Sequence, residues 1–137
     1  MRYGLAATRA AAAITLGTSG CGNCANRPVD TVTSPDASRA AIIFERDCGA
    51  TTGFSTQISV VRRGHAATGG GNVFIADTNN GAAPSGEGGG PTVRVRWVGA
   101  DTLEVRYHPR ARLFPPQSRL KGITVELVPD SSVGNAT

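Results

Sequence analysis

The sequence predicts an all-β domain, a small antiparallel sandwich or curled sheet of about six strands. Three observations carry that expectation. Eighteen glycines and eight prolines punctuate the 137 residues, which favours many turns over long helices. Between those breaks the apolar residues mostly alternate with polar ones, as half-buried strands require. Aromatics are only 5% of the chain, so the core rests on Val, Ile and Leu.

Taken in order, the first expected strand is Arg39 to Glu45. Ala40, Ile42 and Phe44 face one way, while Ala41 and Ile43 face the other, and apolar residues on both faces mark a central strand. The second is Phe54 to Arg62, where Phe54, Thr56, Ile58 and Val60 alternate with Ser55, Gln57 and Ser59. Pairing these two around the intervening turn sets Phe44 opposite Phe54 and Ile42 opposite Thr56. The third is Asn72 to Asp77, closed by the turn Thr78-Asn79-Asn80-Gly81. Ala82 to Gly90 reads as a mobile glycine-rich surface loop. It lacks the Gly-Lys-Ser/Thr run and the following helix of a phosphate cradle.

Thr92 to Val98 and Thr102 to His108 form the clearest hairpin. The loop Gly99-Ala100-Asp101 sets Trp97 opposite Leu103, Val95 opposite Val105 and Val93 opposite Tyr107, which gives one apolar face. The other face gathers Arg94, Arg96, Glu104, Arg106 and His108. There Arg96 is expected to pair with Glu104, while Arg94 and Arg106 stand opposite each other as like charges. Pro109 to Lys121 reads as a basic connection, Gly122 to Val128 as the last strand and residues 130–137 as a frayed tail.

Residues 1–20 read as a secretory signal. Arg2 and Arg9 supply a basic start, a short apolar run follows from Ala10 to Leu16, and small residues precede Cys21. Thr18-Ser19-Gly20-Cys21 resembles the bacterial lipobox, with Thr18 where Leu is usual, and so implies acylation of Cys21 and a membrane anchor. The alternative is an ordinary cleaved signal that releases a soluble periplasmic or secreted protein. Residues 21–38 then form a polar tether, and residues 39–129 the β domain. The formal charge is +4, from 14 bases and 10 acids. Without the two leader arginines the balance is 12 to 10, too small to argue for nucleic acid.

Three cysteines are an odd number for an exported chain. Acylation of Cys21 would leave Cys24 and Cys48 to pair in an oxidising compartment, although spacing alone does not fix that connectivity. Cys21-Gly22-Asn23-Cys24 also has the C-x-x-C spacing of redox and zinc sites. It lacks the helix that activates a redox thiol. A zinc site would need Cys48 with His65 or His108 as further ligands. No metal or cofactor is expected.

The run Phe44-Glu45-Arg46-Asp47-Cys48-Gly49-Ala50-Thr51-Thr52-Gly53-Phe54 is the densest polar stretch of the chain. With Ser34-Pro35-Asp36 upstream, and Asn72 to Asp77 and Val93 to Trp97 downstream, it resembles a motif of small bacterial lipoproteins and exported proteins. The resemblance covers most of the mature chain and implies no catalytic assignment. Ala37 stands where that pattern has a turn glycine.

Three functions follow from these residues. The first is a non-enzymatic envelope protein that binds a protein partner, with Arg94, Arg106, Arg110 and Arg112 as its basic face and His108 beside them. The second is a catalytic group built from Asp47, Cys48, Thr51 and Thr52 with His65 or His108, although no spacing fixes that geometry. The third is anion binding by the backbone of the Gly49 to Gly53 turn, completed by Arg46. In the bland reading of the turn, Asp47 and the threonines cap backbone N–H groups and Arg46 pairs with a neighbouring acid.

Overall fold

A computed structural model of the chain describes residues 24–49, 53–116, 118 and 120–135. Among them are eight strands and no helix. In chain order these are β1 (Ala25–Thr33), β2 (Arg39–Asp47), β3 (Ser55–Arg62), β4 (Phe74–Asp77), β5 (Val93–Trp97), β6 (Thr102–Tyr107), β7 (Arg112–Phe114) and β8 (Thr124–Pro129). One sheet has the order β1-β2-β3-β4-β7, and the other β5-β6-β8. The all-β expectation holds, in the form of two packed sheets.

The core forms because one phase of each strand is apolar. Ala41 and Ile43 of β2, Ile58 and Val60 of β3, and Phe74 and Ala76 of β4 meet Leu103 and Val105 of β6. Trp97 opposite Leu103, Val95 opposite Val105 and Val93 opposite Tyr107 give the second sheet its inner face, in the register that the hairpin pattern predicts.

The β2–β3 register differs from the expected one. Phe44 lies opposite Gln57, and Ile42 opposite Ser59. The observed register sets Ile43 against Ile58 and Ala41 against Val60, which brings the core-facing residues of both strands together. An odd slip exchanges the faces of a strand, so burial selects between the two registers. β3 is also buried on both faces from Thr56 to Val60 rather than on one. The β3–β4 connection folds over its outer side, where Gly71 N–H donates to Gln57 Oε1 at 2.7 Å. The side-chain amide of Asn72 accepts from Val60 N–H at 2.8 Å and donates to Val60 C=O at 3.0 Å, imitating a strand neighbour. A side chain at position 71 would stand 2.6 Å from the Phe74 carbonyl oxygen, so only glycine allows this approach.

Three other segments depart from expectation. Ala25–Thr33, within the expected tether, is an edge strand paired with β2. Its pattern is polar because most of its residues are exposed, and its ladder is broken between Pro28 and Asp30. Proline and a bulge are tolerated at a sheet edge and blunt it against unwanted pairing. The basic connection contains β7, a second short edge strand. β8 pairs with β6 in parallel, so the second sheet is mixed. The tail is not frayed through residue 135, since Val133 is fully buried.

The β1–β2 turn is held by Asp36, whose Oδ1 accepts from Ser34 Oγ at 2.7 Å and Ser38 Oγ at 2.8 Å. Those bonds, led by Ser34, hold its carboxyl below the ordinary value. Ala37 sits there at φ 60°, the conformation in which a glycine would be unstrained.

Candidate functional site

β1 and β5 are the facing edges of the two sheets. At one end they are tied, because Trp97 Nε1–H donates to the Val32 carbonyl at 2.9 Å. Towards the other end they part, leaving a groove of about 860 Å³. Arg27, Pro28 and Asp30 form one wall, Val93 and Arg94 form the other, and Ile43 and Glu45 of β2 line the groove between them. Gly86–Gly88 and Gly90–Thr92 contribute most of the remaining lining.

Glu45 continues the inward phase of Ala41 and Ile43, and it lies opposite Thr56 on β3. It is 8% exposed. Its only ion pair among the described residues is with Arg27, Nη2 to Oε2 at 3.5 Å. Arg27 keeps 67% of its side chain in solvent. The hydroxyl across from Glu45 is already committed, since Thr56 Oγ1–H donates to the Pro91 carbonyl at 2.6 Å.

The glycine-rich loop, expected to be mobile surface, packs on this end of the sheet. A side chain at position 88 would fall 1.2 Å from Glu45 Oε2. One at position 89 would meet Phe54 at 2.7 Å, and one at position 90 would meet the Thr56 amide nitrogen at 2.9 Å. Consecutive glycines therefore let the backbone lie against Glu45, Phe54 and Thr56.

A second cluster lies on the outer face of the β5-β6-β8 sheet. Glu104 accepts from Arg96 Nε at 3.0 Å, Arg96 Nη2 at 3.1 Å and Arg106 Nε at 2.8 Å. Arg106 Nη1 also reaches Asp130 Oδ2 at 3.3 Å. The hydrogen bonds from Arg96, and then Arg106, hold the Glu104 carboxyl down at about 2. Asp130 is lowered as well, chiefly by the hydroxyl and then the backbone N–H of Ser132. The expected Arg96–Glu104 pair is present. The like-charged pair is resolved by acids on either side of Arg106, while Arg94 reaches the Ser132 oxygens at 3.5 Å.

Of the expected basic face, Arg94 and Arg106 stand opposite each other on β5 and β6, as predicted, while Arg112 lies apart. Arg112 lies on β7 of the other sheet, paired with Asp77 and stacked 5.2 Å from the Phe114 ring centre. Arg110 is exposed in the turn after β6, and its N–H donates to His108 Nδ1 at 3.2 Å.

At the central turn, Cys48 is joined to Cys24 by a disulfide. Asp47 Oδ1 accepts from Gly49 N–H at 2.9 Å, the capping role expected of it. Arg46 Nη1 donates to Asn26 Oδ1, so its partner is an amide on β1 and not a neighbouring acid. Asn26 in turn donates to the Gly69 carbonyl at 2.8 Å. Thr51, Thr52 and Cys21 lie outside the described residues. Among the described residues, no group of His, Cys, Asp and Glu could hold a metal ion.

Sequence reasoning missed the groove. Its available signal was Glu45, an acid in phase with the apolar Ala41 and Ile43. Arg27 and Gly88 approach it from distant parts of the chain, where nothing in the sequence flags them. Comparisons with protein-family models, curated proteins and solved structures find no match for this chain.

Proposed function

We propose that this chain is a non-enzymatic binding module of a bacterial cell envelope, anchored through Cys21, that takes a protein partner along the groove between β1 and β5. The observation that carries this reading is a groove bounded by two sheet edges. No strand among the described residues pairs with the outer edge of β1 or β5. A partner's extended segment can add to such an edge through main-chain hydrogen bonds, with its side chains entering the groove. The bulge at Val29 interrupts β1, so β5 is the edge along which a partner strand runs. At about 860 Å³, the groove has the volume of a ligand site.

Two observations weigh in favour of this reading over a catalytic or anion site at the central turn. The disulfide removes Cys48 as a nucleophile. Arg46 donates to Asn26 on β1, which commits one of its N–H groups away from the turn.

A photo-crosslinking residue placed at Asp30, on the groove wall, tests the proposal in cells that express the chain. The same residue at Leu113, on β7, is the comparison. A discrete protein adduct at position 30 and not at 113, reproduced with the purified pair, is expected. No adduct at 30, or the same adducts at both positions, overturns it. The anchor is tested separately by replacing Cys21 with Ala, which is expected to move the chain from the membrane to the soluble fraction.

A further inference from the structure

Glu45 combines features that a purely structural acid does not need. Its side chain is nine-tenths buried, yet it lines an open groove. A carboxylate taken out of water requires charged or hydrogen-bonding partners to offset the loss of hydration. Glu45 has one at 3.5 Å, from a guanidinium that remains mostly in solvent. The hydroxyl of Thr56, opposite Glu45 on β3, is spent on Pro91. Two carboxylate oxygens offer about four acceptor positions, and no hydrogen bond among the described residues fills them, so an oxygen without a partner is open to the water of the groove.

The groove has matching charge. Asp30, Glu45 and Glu87 line it against Arg27 and Arg94. Arg94 leans towards Ser132, leaving Arg27 as the cation at Glu45. Ile43, Pro91, Val93 and Val95 add an apolar surface beside the acid, suited to the methylene stem of a long cationic side chain.

Resting on the groove as the place where a protein partner binds, we propose that Glu45 receives an arginine side chain of that partner. Arg27 holds the position in its absence and gives way to it. A guanidinium matches a carboxylate with two parallel hydrogen bonds, which an ammonium cannot do. The long contact from Arg27 is a weak competitor because most of its side chain is hydrated, and ion pairs of that kind contribute little. The stem of the incoming arginine lies along Val93 and Val95, and its head reaches the acid beneath Gly88.

The probes are butylguanidinium, butylammonium, butyrate and a capped tripeptide with a central arginine. Each is titrated against the mature chain while the backbone amides of residues 27, 45 and 88 are followed by NMR. Butylguanidinium is expected to shift these amides, butylammonium to do so more weakly and butyrate not at all. The tripeptide should bind more tightly than butylguanidinium, because it adds the edge-strand contacts. Equal binding by the two assigns the site to small free cations and overturns the proposal.

Arg27→Ala gives the decisive sign. If Arg27 is the resident competitor, its removal tightens butylguanidinium binding about two- to fivefold, the worth of an exposed ion pair. If Arg27 is part of the recognition, its removal weakens binding and the proposal fails. Glu45→Gln should weaken binding about tenfold or more. Should that variant not fold, the Arg27→Ala result decides alone, because Arg27 lies on an exposed edge.

The inference and the reading beneath it fail separately. A crosslinked partner at position 30 with no guanidinium response leaves the protein-binding reading standing and sinks the arginine. Guanidinium binding tightened by Arg27→Ala, with no crosslinked protein, does the reverse.

Discussion

Two nearly buried acids occupy equivalent places in the two sheets and live in opposite electrostatic conditions. Glu45 is 8% exposed on β2, and Glu104 is 6% exposed on β6, each on a strand flanked by neighbours on both sides. Glu104 points away from the core, where the stems of Arg96 and Arg106 cover it and their head groups make three hydrogen bonds to it. Glu45 points between the sheets and has, among the described residues, a single ion pair at 3.5 Å. Burial does not separate a structural acid from a functional one. The separation lies in how much of the acceptor capacity the protein itself uses. Glu104 uses most of that capacity within the protein, tying β5 to β6 and, through Arg106, to the turn at Asp130. Glu45 is left with capacity at the mouth of a groove.

The sharpest way to break this comparison is to remove what holds Arg27 near Glu45. The Cys24–Cys48 bridge closes the β1–β2 pair three residues beyond Glu45. Replacing both cysteines with Ala should cost about 3 kcal/mol, the typical worth of a bridge across a loop of this length, read by urea unfolding. Hydrogen exchange should show β1 losing protection first while β5 and β6 keep theirs. Equal loss in both sheets would mean that the two acids do not sit in independently supported regions.

A smaller effect is expected at the loop. Gly90→Ala drives a methyl group within 2.9 Å of the Thr56 amide nitrogen, and neither backbone can yield easily. A cost of about 2 kcal/mol is expected, with the loop lifted from Glu45. Gly99→Ala, in the hairpin beside Glu104, meets nothing within 4 Å and should stay within about 0.5 kcal/mol of the parent. Comparable losses for the two, by thermal melting, would remove the claim that the groove depends on close backbone packing.

What the sequence disclosed tracks this same division. The β5–β6 hairpin and the Arg96–Glu104 pair were legible down to the register, because alternation and a three-residue loop are local signals. The burial of β2 on both faces was equally plain, although its register against β3 was not. β1 and β7 were not legible, because an exposed edge strand carries little burial pattern. Pro28 in one, and Pro115 and Pro116 after the other, read as loop. The parallel β6–β8 pairing joins strands separated by a long connection, which no local pattern encodes. The groove failed to appear for the same reason. Arg27, Glu45, Gly88 and Val93 converge only after the fold is made. Even the attention drawn to Arg46 through Thr52 fell one residue beyond the acid that lines the groove.

The smallest effect tests Glu104 by its charge. Arginine hydrogen bonds depress the Glu104 carboxyl from 4.5 to about 2. A depressed acid binds its proton more readily in the unfolded chain than in the folded one, so its contribution is complete above about 4.5 and is lost as the pH falls towards 2. Asp36 and Asp130 are also depressed and add acid sensitivity of the same sign at lower pH. The quantity to follow is therefore the melting-temperature difference between the parent and Glu104→Gln, in which the Asp36 contribution cancels and that of Asp130, led by Ser132, largely does. At neutral pH the variant should melt a few degrees lower, because glutamine cannot accept from both guanidinium groups as a carboxylate does. That gap should shrink from about pH 4.5 downward and approach zero near 2. A gap that stays constant across this window would show that Glu104 acts through its shape and packing, and its contrast with Glu45 would no longer rest on charge.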